Sequence, residues 1–146
     1  MVLNPSRLRV IAVGKIRKPW IREGLETYRK RLPGLVIHEV KDSIPARERD
    51  QILAILQPEE IMLALSEEGS ALDSIAWAHG LDAMASGRIA FVIGGAFGLD
   101  ADLKARAHRI LSLSPMTFPH ELARLILIEQ IYRAQSILQG SPYHKA

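Results

Sequence analysis

The chain has 146 residues, 48% hydrophobic and 24% charged, enough for one domain (1–146) with a buried core and the balance of a globular protein in water. No apolar run approaches the roughly 20 residues of a membrane span, and the start MVLNPSRLRV lacks the apolar stretch of a secretory signal. The absence of cysteine excludes disulfides, thiolate metal sites and cysteine nucleophiles, and together these features point to a cytoplasmic protein.

Short β-branched segments alternate with amphipathic ones along the chain. LRVIAVG (8–14) reads as a buried strand, and WIREGLETYRKRL follows with Ile21, Leu25, Tyr28 and Leu32 at helical spacing until Pro33-Gly34 stops it. LVIHEV is a second strand, and ARERDQILAIL after Pro45 a second helix. EIMLAL gives a third strand, and ALDSIAWAHGLDAMA a third helix with Gly80 as a weak point inside it. RIAFVIGG is a fourth strand, and DADLKARAHRI is helical with Asp100 as its N-cap. A short fifth strand around LSLSPM leads into a long last helix from about Pro119 to Leu138. This alternation predicts an α/β fold, a mostly parallel sheet flanked by helices. Ligands then bind beyond the carboxyl ends of the strands, at the loops after MLAL, FVIGG and LSLSPM.

The last helix carries Leu122, Leu125, Ile126, Leu127, Ile128 and Ile131 nearly all round its axis. A helix apolar on every side is buried on every side, and in so small a domain its second face predicts a homodimer. The formal net charge of +3 is uneven: residues 1–49 hold 12 Lys and Arg against 5 Asp and Glu, whereas residues 50–146 hold 7 against 11. A basic first half suits a polyanion, and equally an ordinary solvated surface.

Two loops can carry chemistry. In FVIGGAFGLD, Gly94, Gly95 and Gly98 stand where a strand gives way to a helix, which either lets a ligand approach the main chain or only makes the turn. LSLSPMTFPHE offers main-chain donors and acceptors beside apolar walls, suited to an adenine ring or to a simple turn. His38, His79 and His108 read as structural or solvent-facing, and no His, Asp and Glu cluster has metal-ligand spacing.

Taken together, VIGGAFG, LSLSPMTFPHELARLILIEQIYRAQSI and the terminal PYHK resemble the ribosomal RNA large-subunit pseudouridine N3-methyltransferase H family, of the SPOUT superfamily of knotted methyltransferases. The combination of T-x-P-H (117–120), E-x-x-Y-R-A (129–134) and P-Y-H-K (142–145) is specific, and the resemblance covers the whole chain, most densely from Ile89 to Lys145. It implies a C-terminal deep trefoil knot, over about 89–146. It implies S-adenosyl-L-methionine as methyl donor, with S-adenosylhomocysteine as product and no metal, held by Leu65, Gly94 and the loop Leu113, Ser114, Pro115, Met116, Thr117, Phe118. It further implies a homodimer that methylates N3 of a pseudouridine in the bridging stem-loop of 23S ribosomal RNA, on the assembled ribosome. Many members have a proline after the two glycines, where this chain has Ala96-Phe97, and residues 41–58 match no motif of the family.

Loss of the weakly acidic N3 proton needs a base, or donors that stabilise the forming anion. The candidates are His144, as base or as phosphate contact, the Tyr143 hydroxyl, and Arg133 for the anion or a phosphate. Gly140-Ser141-Pro142 would turn this tail back toward the cofactor loops, of its own subunit or its partner's. Lys15, Arg17, Lys18, Arg22 and Lys145 are the expected RNA contacts, with Arg29, Lys30 and Arg31 extending the patch. The alternatives are a SPOUT methyltransferase for another RNA nucleotide, a SPOUT-fold RNA- or ribosome-binding protein without the activity, and an α/β nucleotide-binding enzyme with a small substrate.

Overall fold

The computed structural model describes residues 3–145. Strands β1 (Leu8–Val13), β2 (Val36–Val40), β3 (Glu60–Ala71), β4 (Arg88–Ile93) and β5 (Arg109–Ser112) alternate with helices α1 (Pro19–Arg29), α2 (Pro45–Ile55), α3 (Ser74–Ala83), α4 (Ala101–Arg106) and α5 (His120–Leu138). All pairings are parallel and the sheet order is β2-β1-β4-β3-β5. The predicted α/β fold with a parallel sheet is the one observed.

The sheet is buried on both faces, which is why β1 and β4 read as continuous apolar runs. Alternate residues divide between two cores. Val10, Ala12, Ile89, Phe91 and Leu63 face α1, α3 and α5, while Ile11, Val13, Ala90, Val92 and Met62 face Ile52 of α2 and Leu103 of α4. Helix α5 packs between α1 and α3. Gly24 of α1 allows the close approach, since a Cβ there would stand 3.0 Å from Leu125. On the other flank the Trp77 indole N–H donates to the Gln130 carbonyl at 2.9 Å.

Several boundaries differ from the sequence expectation. Helix α4 ends at Arg106 rather than near residue 110, and β5 starts at Arg109. The cause is tertiary: the Met62 N–H donates to His108 Nδ1 (2.9 Å) and the His108 N–H to the Met62 carbonyl (2.9 Å), which draws the chain onto β3. Helix α3 begins only at Ser74, because Asp73 caps it by accepting the Ala76 N–H at 2.7 Å, and it runs unbroken through Gly80.

Strand β3 continues to Ala71 instead of stopping at Leu65. Its register with β5 shifts between Leu65 and Ser70, so that Leu111 pairs with both. Ser66–Gly69 is thereby extruded as a bulge. Gly69 makes the return possible, because a Cβ there would lie 2.6 Å from the Ile110 carbonyl.

Candidate functional site

In a parallel sheet all carboxyl ends lie along one edge, and β4, β3 and β5 are neighbours. The segments that leave them surround a cleft of about 670 Å³. One wall is the turn after β4. Gly95 bridges to Gly98, whose N–H donates to the Gly95 carbonyl at 3.1 Å and whose φ of 74° suits glycine. Gly94 must also be glycine, since a Cβ would stand 2.7 Å from the Gly98 carbonyl carbon. The opposite wall is the loop between β5 and α5. The floor comes from Leu65, Ser66 and Glu67 of the bulged strand, and the Thr117 hydroxyl donates across it to Glu67 at 2.6 Å.

Leu65, Gly94, Leu113, Ser114, Met116, Thr117 and Phe118 all line this cleft, so the structure brings together residues up to 53 positions apart. Pro115 lies in the same loop without lining the cleft. Ser114 Oγ accepts the Met116 N–H at 3.0 Å and holds the loop in shape. Among the described residues, no protein group accepts the main-chain N–H of Ser114, Thr117 or Phe118. Free peptide groups beside leucine and phenylalanine side chains fit an adenine ring and its substituents.

A second cavity of about 480 Å³ meets the first at Leu65 and Leu113, and His144 lines it with Ser112 and Gln130. The tail folds back onto α5. Glu129 is the hub: its carboxylate accepts from Arg133 Nη2 (2.6 Å), Arg133 Nε (3.3 Å), the Tyr143 hydroxyl (2.7 Å) and Gln130 Nε2 (2.9 Å). Arg133 Nη1 lies 3.0 Å from His144 Nδ1, and its guanidinium stacks 4.8 Å from the Tyr143 ring centre. Tyr143 also packs edge-on against Tyr132.

This geometry assigns protons. A guanidinium only donates, so His144 Nδ1 accepts and the neutral ring carries its hydrogen on Nε2. The hydrogen bond to Glu129 raises the Arg133 pKa. Burial, then hydrogen bonds to Tyr28 and Glu129, push the Tyr143 phenol well above its ordinary value. Tyr143 is therefore held protonated, and of the two tail candidates for a base it is the one its surroundings disfavour. In the sequence Glu129 stands out only as the first residue of E-x-x-Y-R-A, with no role assigned, although its i,i+4 spacing to Arg133 is a signal for the ion pair.

The basic residues divide. Lys15, Arg22 and Arg29 line a separate basin of about 390 Å³ beside Glu39 and the buried Arg124. Arg17 and Lys18 lie nearer the cleft, because the Glu121 carboxylate accepts both of their main-chain N–H groups at 3.0 Å. Burial opposes ionisation of Glu121, but these two bonds and the Lys18 charge outweigh it and lower its pKa. Lys145 is exposed. The described residues contain no group of three or more side chains able to hold a metal ion, and none of the described helices is long and apolar enough to cross a membrane.

The family model described as "Predicted SPOUT methyltransferase" matches residues 6–144. The chain belongs to the SPOUT methyltransferase family. A relative from Parasynechococcus marenigrum (strain WH8102), named ribosomal RNA large subunit methyltransferase H, is 63% identical over 144 residues, 99% of this chain and 100% of its own length. A second, from Synechococcus sp. (strain CC9311) and of the same name, is 60% identical over the same shares. Among solved structures, a probable methylase family protein from Haemophilus influenzae Rd KW20 superposes with a TM-score of 0.63 at 13% identity, over 97% of this SPOUT chain and 72% of the other. That likeness concerns the fold.

Proposed function

We propose that this SPOUT methyltransferase methylates N3 of a pseudouridine in large-subunit (23S) ribosomal RNA, on the assembled ribosome and as a homodimer. The observation that carries the reading is full-length identity of 63% to a relative named for the ribosomal large subunit. The three-loop cleft supports it. Membership of the family implies S-adenosylmethionine as the methyl donor. Leu65, together with Gly94 and the main chain of Leu113–Phe118 from the knotted passage proposed for about 89–146, would hold it. When bound, S-adenosylmethionine supplies a methyl group already activated on a sulfonium.

The chain's own residues then align the acceptor and manage the N3 proton. His144 lines the second cavity, where its Nε2–H would donate to a carbonyl of the target base and stabilise the anion left when N3 loses its proton. Arg133 holds that tautomer, and Glu129 holds Arg133. The proton itself leaves to water.

Leu122, Ile126, Glu129 and Arg133 form one half-buried stripe on α5, with Leu125 and Tyr132 beside it. This stripe is the dimer seam we propose, and it sets the tail at the junction of two subunits.

The test is transfer of labelled methyl from S-adenosylmethionine to ribosomes lacking the modification, with separated subunits and free ribosomal RNA in parallel. Label at one pseudouridine N3, on whole ribosomes only, is the expected result. Label on another nucleotide would reassign the target. Cofactor binding without label on any of the three substrates would overturn the reading.

A further inference from the structure

The cleft has an unusual rim. Phe97 is 83% exposed and Met116, on the opposite wall, 74% exposed. Phe97 is not on a loose loop: it stands on the turn closed by the Gly95–Gly98 bridge, and that turn rests on the end of β1, where a Cβ on Gly95 would lie 3.1 Å from Val13. The chain leaving β1 at that point is Gly14-Lys15-Ile16-Arg17-Lys18, tied to the start of α5 through Glu121. Lys15, Arg17 and Lys18 are exposed, and among the described residues none of their side chains forms an ion pair. Glu121 forms no side-chain ion pair with them; its Oε1 accepts the main-chain N–H groups of Arg17 and Lys18. Of the carboxylates near the turn, Asp100 and Asp102 are paired with Arg49, and Asp42 lies 3.9 Å from where a Cβ on Gly95 would stand.

An exposed aromatic ring on a closed turn, near a segment that carries the unpaired cations Arg17 and Lys18, is the pairing that single-stranded RNA requires. The ring stacks a base, and the cations meet the phosphates on either side of it. We propose that Phe97 is a stacking platform for an unpaired nucleobase next to the one methylated, with Arg17 and Lys18 contacting the adjoining phosphates. This rests on the ribosomal RNA reading above and adds a contact that reading does not assign. Phe97 acts by positioning RNA.

The experiment measures affinity for unmethylated ribosomes by co-sedimentation across a salt series, alongside methyl transfer and cofactor affinity by calorimetry. Phe97→Ala should weaken ribosome binding about tenfold, as loss of one base stack does, with cofactor affinity and salt dependence unchanged. Phe97→Trp should restore it. Lys18→Ala should instead reduce the slope of log affinity against log salt by about one. Unchanged binding by Phe97→Ala would overturn the proposal. So would weakened cofactor affinity, which would make Phe97 part of the donor site, or a change in sedimentation of the free protein, which would make it a subunit contact. If wild type binds ribosomes and Phe97→Ala does not, yet neither transfers methyl, the platform stands and the methylation reading falls.

Discussion

At the scale of single residues, the tail is organised by one carboxylate. Glu129 receives four hydrogen bonds and fixes both Arg133 and Tyr143. Glu129→Gln keeps the shape but replaces an acceptor-only group by one that must also donate, and it removes the charge facing Arg133. The expected outcome is loss of methyl transfer by two orders of magnitude or about 3 kcal/mol in the barrier, with the melting temperature nearly unchanged. Transfer at the wild-type rate would show that the tail needs no such anchor. Tyr143 gives a pH prediction. Its pKa is raised in the folded state, so its contribution to stability is complete below the unfolded value of about 10 and fades as pH rises beyond it. Denaturation of wild type should become easier above pH 10, and Tyr143→Phe should flatten that limb. Gly69 belongs to this scale too: Gly69→Ala should cost about 3 kcal/mol through overpacking against the Ile110 carbonyl, read by urea denaturation. PYHK and the Gly-Gly pair were legible in the sequence as candidates. Which nitrogen of His144 carries the hydrogen was not, because that depends on an arginine 11 residues away.

At the scale of elements, β1 and β3 are tied at their amino ends. Arg9 donates two hydrogen bonds to Glu60, from Nε (2.7 Å) and Nη2 (2.5 Å), and Nη2 also reaches the Ile55 carbonyl (2.6 Å). Burial alone would raise the Glu60 pKa. The Arg9 hydrogen bonds, the Gln57 N–H and the charges of Arg9 and Arg88 reverse this and lower it. A carboxylate lowered in the fold contributes stability above its unfolded value of about 4.3, and that stability is lost as pH falls through the lower folded value. Arg9→Met leaves a buried charge without its partner and should cost about 3 kcal/mol at pH 7. The gap from wild type should narrow near pH 3 as Glu60 takes up a proton, which denaturant titrations at both pH values would reveal. Period and turn residues announced each strand and helix, since burial on one face imposes a repeat on the chain. The length of β3 escaped that reading. SEEGS is polar and looks like a loop, and only pairing of Ser70 and Ala71 with β5 makes its end a strand.

At the scale of the whole molecule, the prediction concerns assembly. Leu122 lies at the start of the half-buried stripe on α5, so Leu122→Glu should convert the proposed dimer to monomer in sedimentation velocity and abolish transfer with it. Removing residues 143–146 should do the opposite to assembly, leaving dimer and cofactor binding intact while transfer is lost. A truncated protein that still methylates would mean the tail is dispensable.

The sequence by itself determined the alternation of elements, the two-sided burial of the sheet, the basic first half and, through its motifs, the family. These are local: hydrophobic period, glycine turns and charge are written in neighbouring residues. Tertiary structure decided the rest. It set Leu65, Gly94 and Leu113 around one cleft, turned His108 from a helical residue into a clasp for β3, and closed the Glu129 cluster onto the tail. Each of these is a contact between segments distant in the chain, made because buried polar groups must find partners wherever the packed elements bring them.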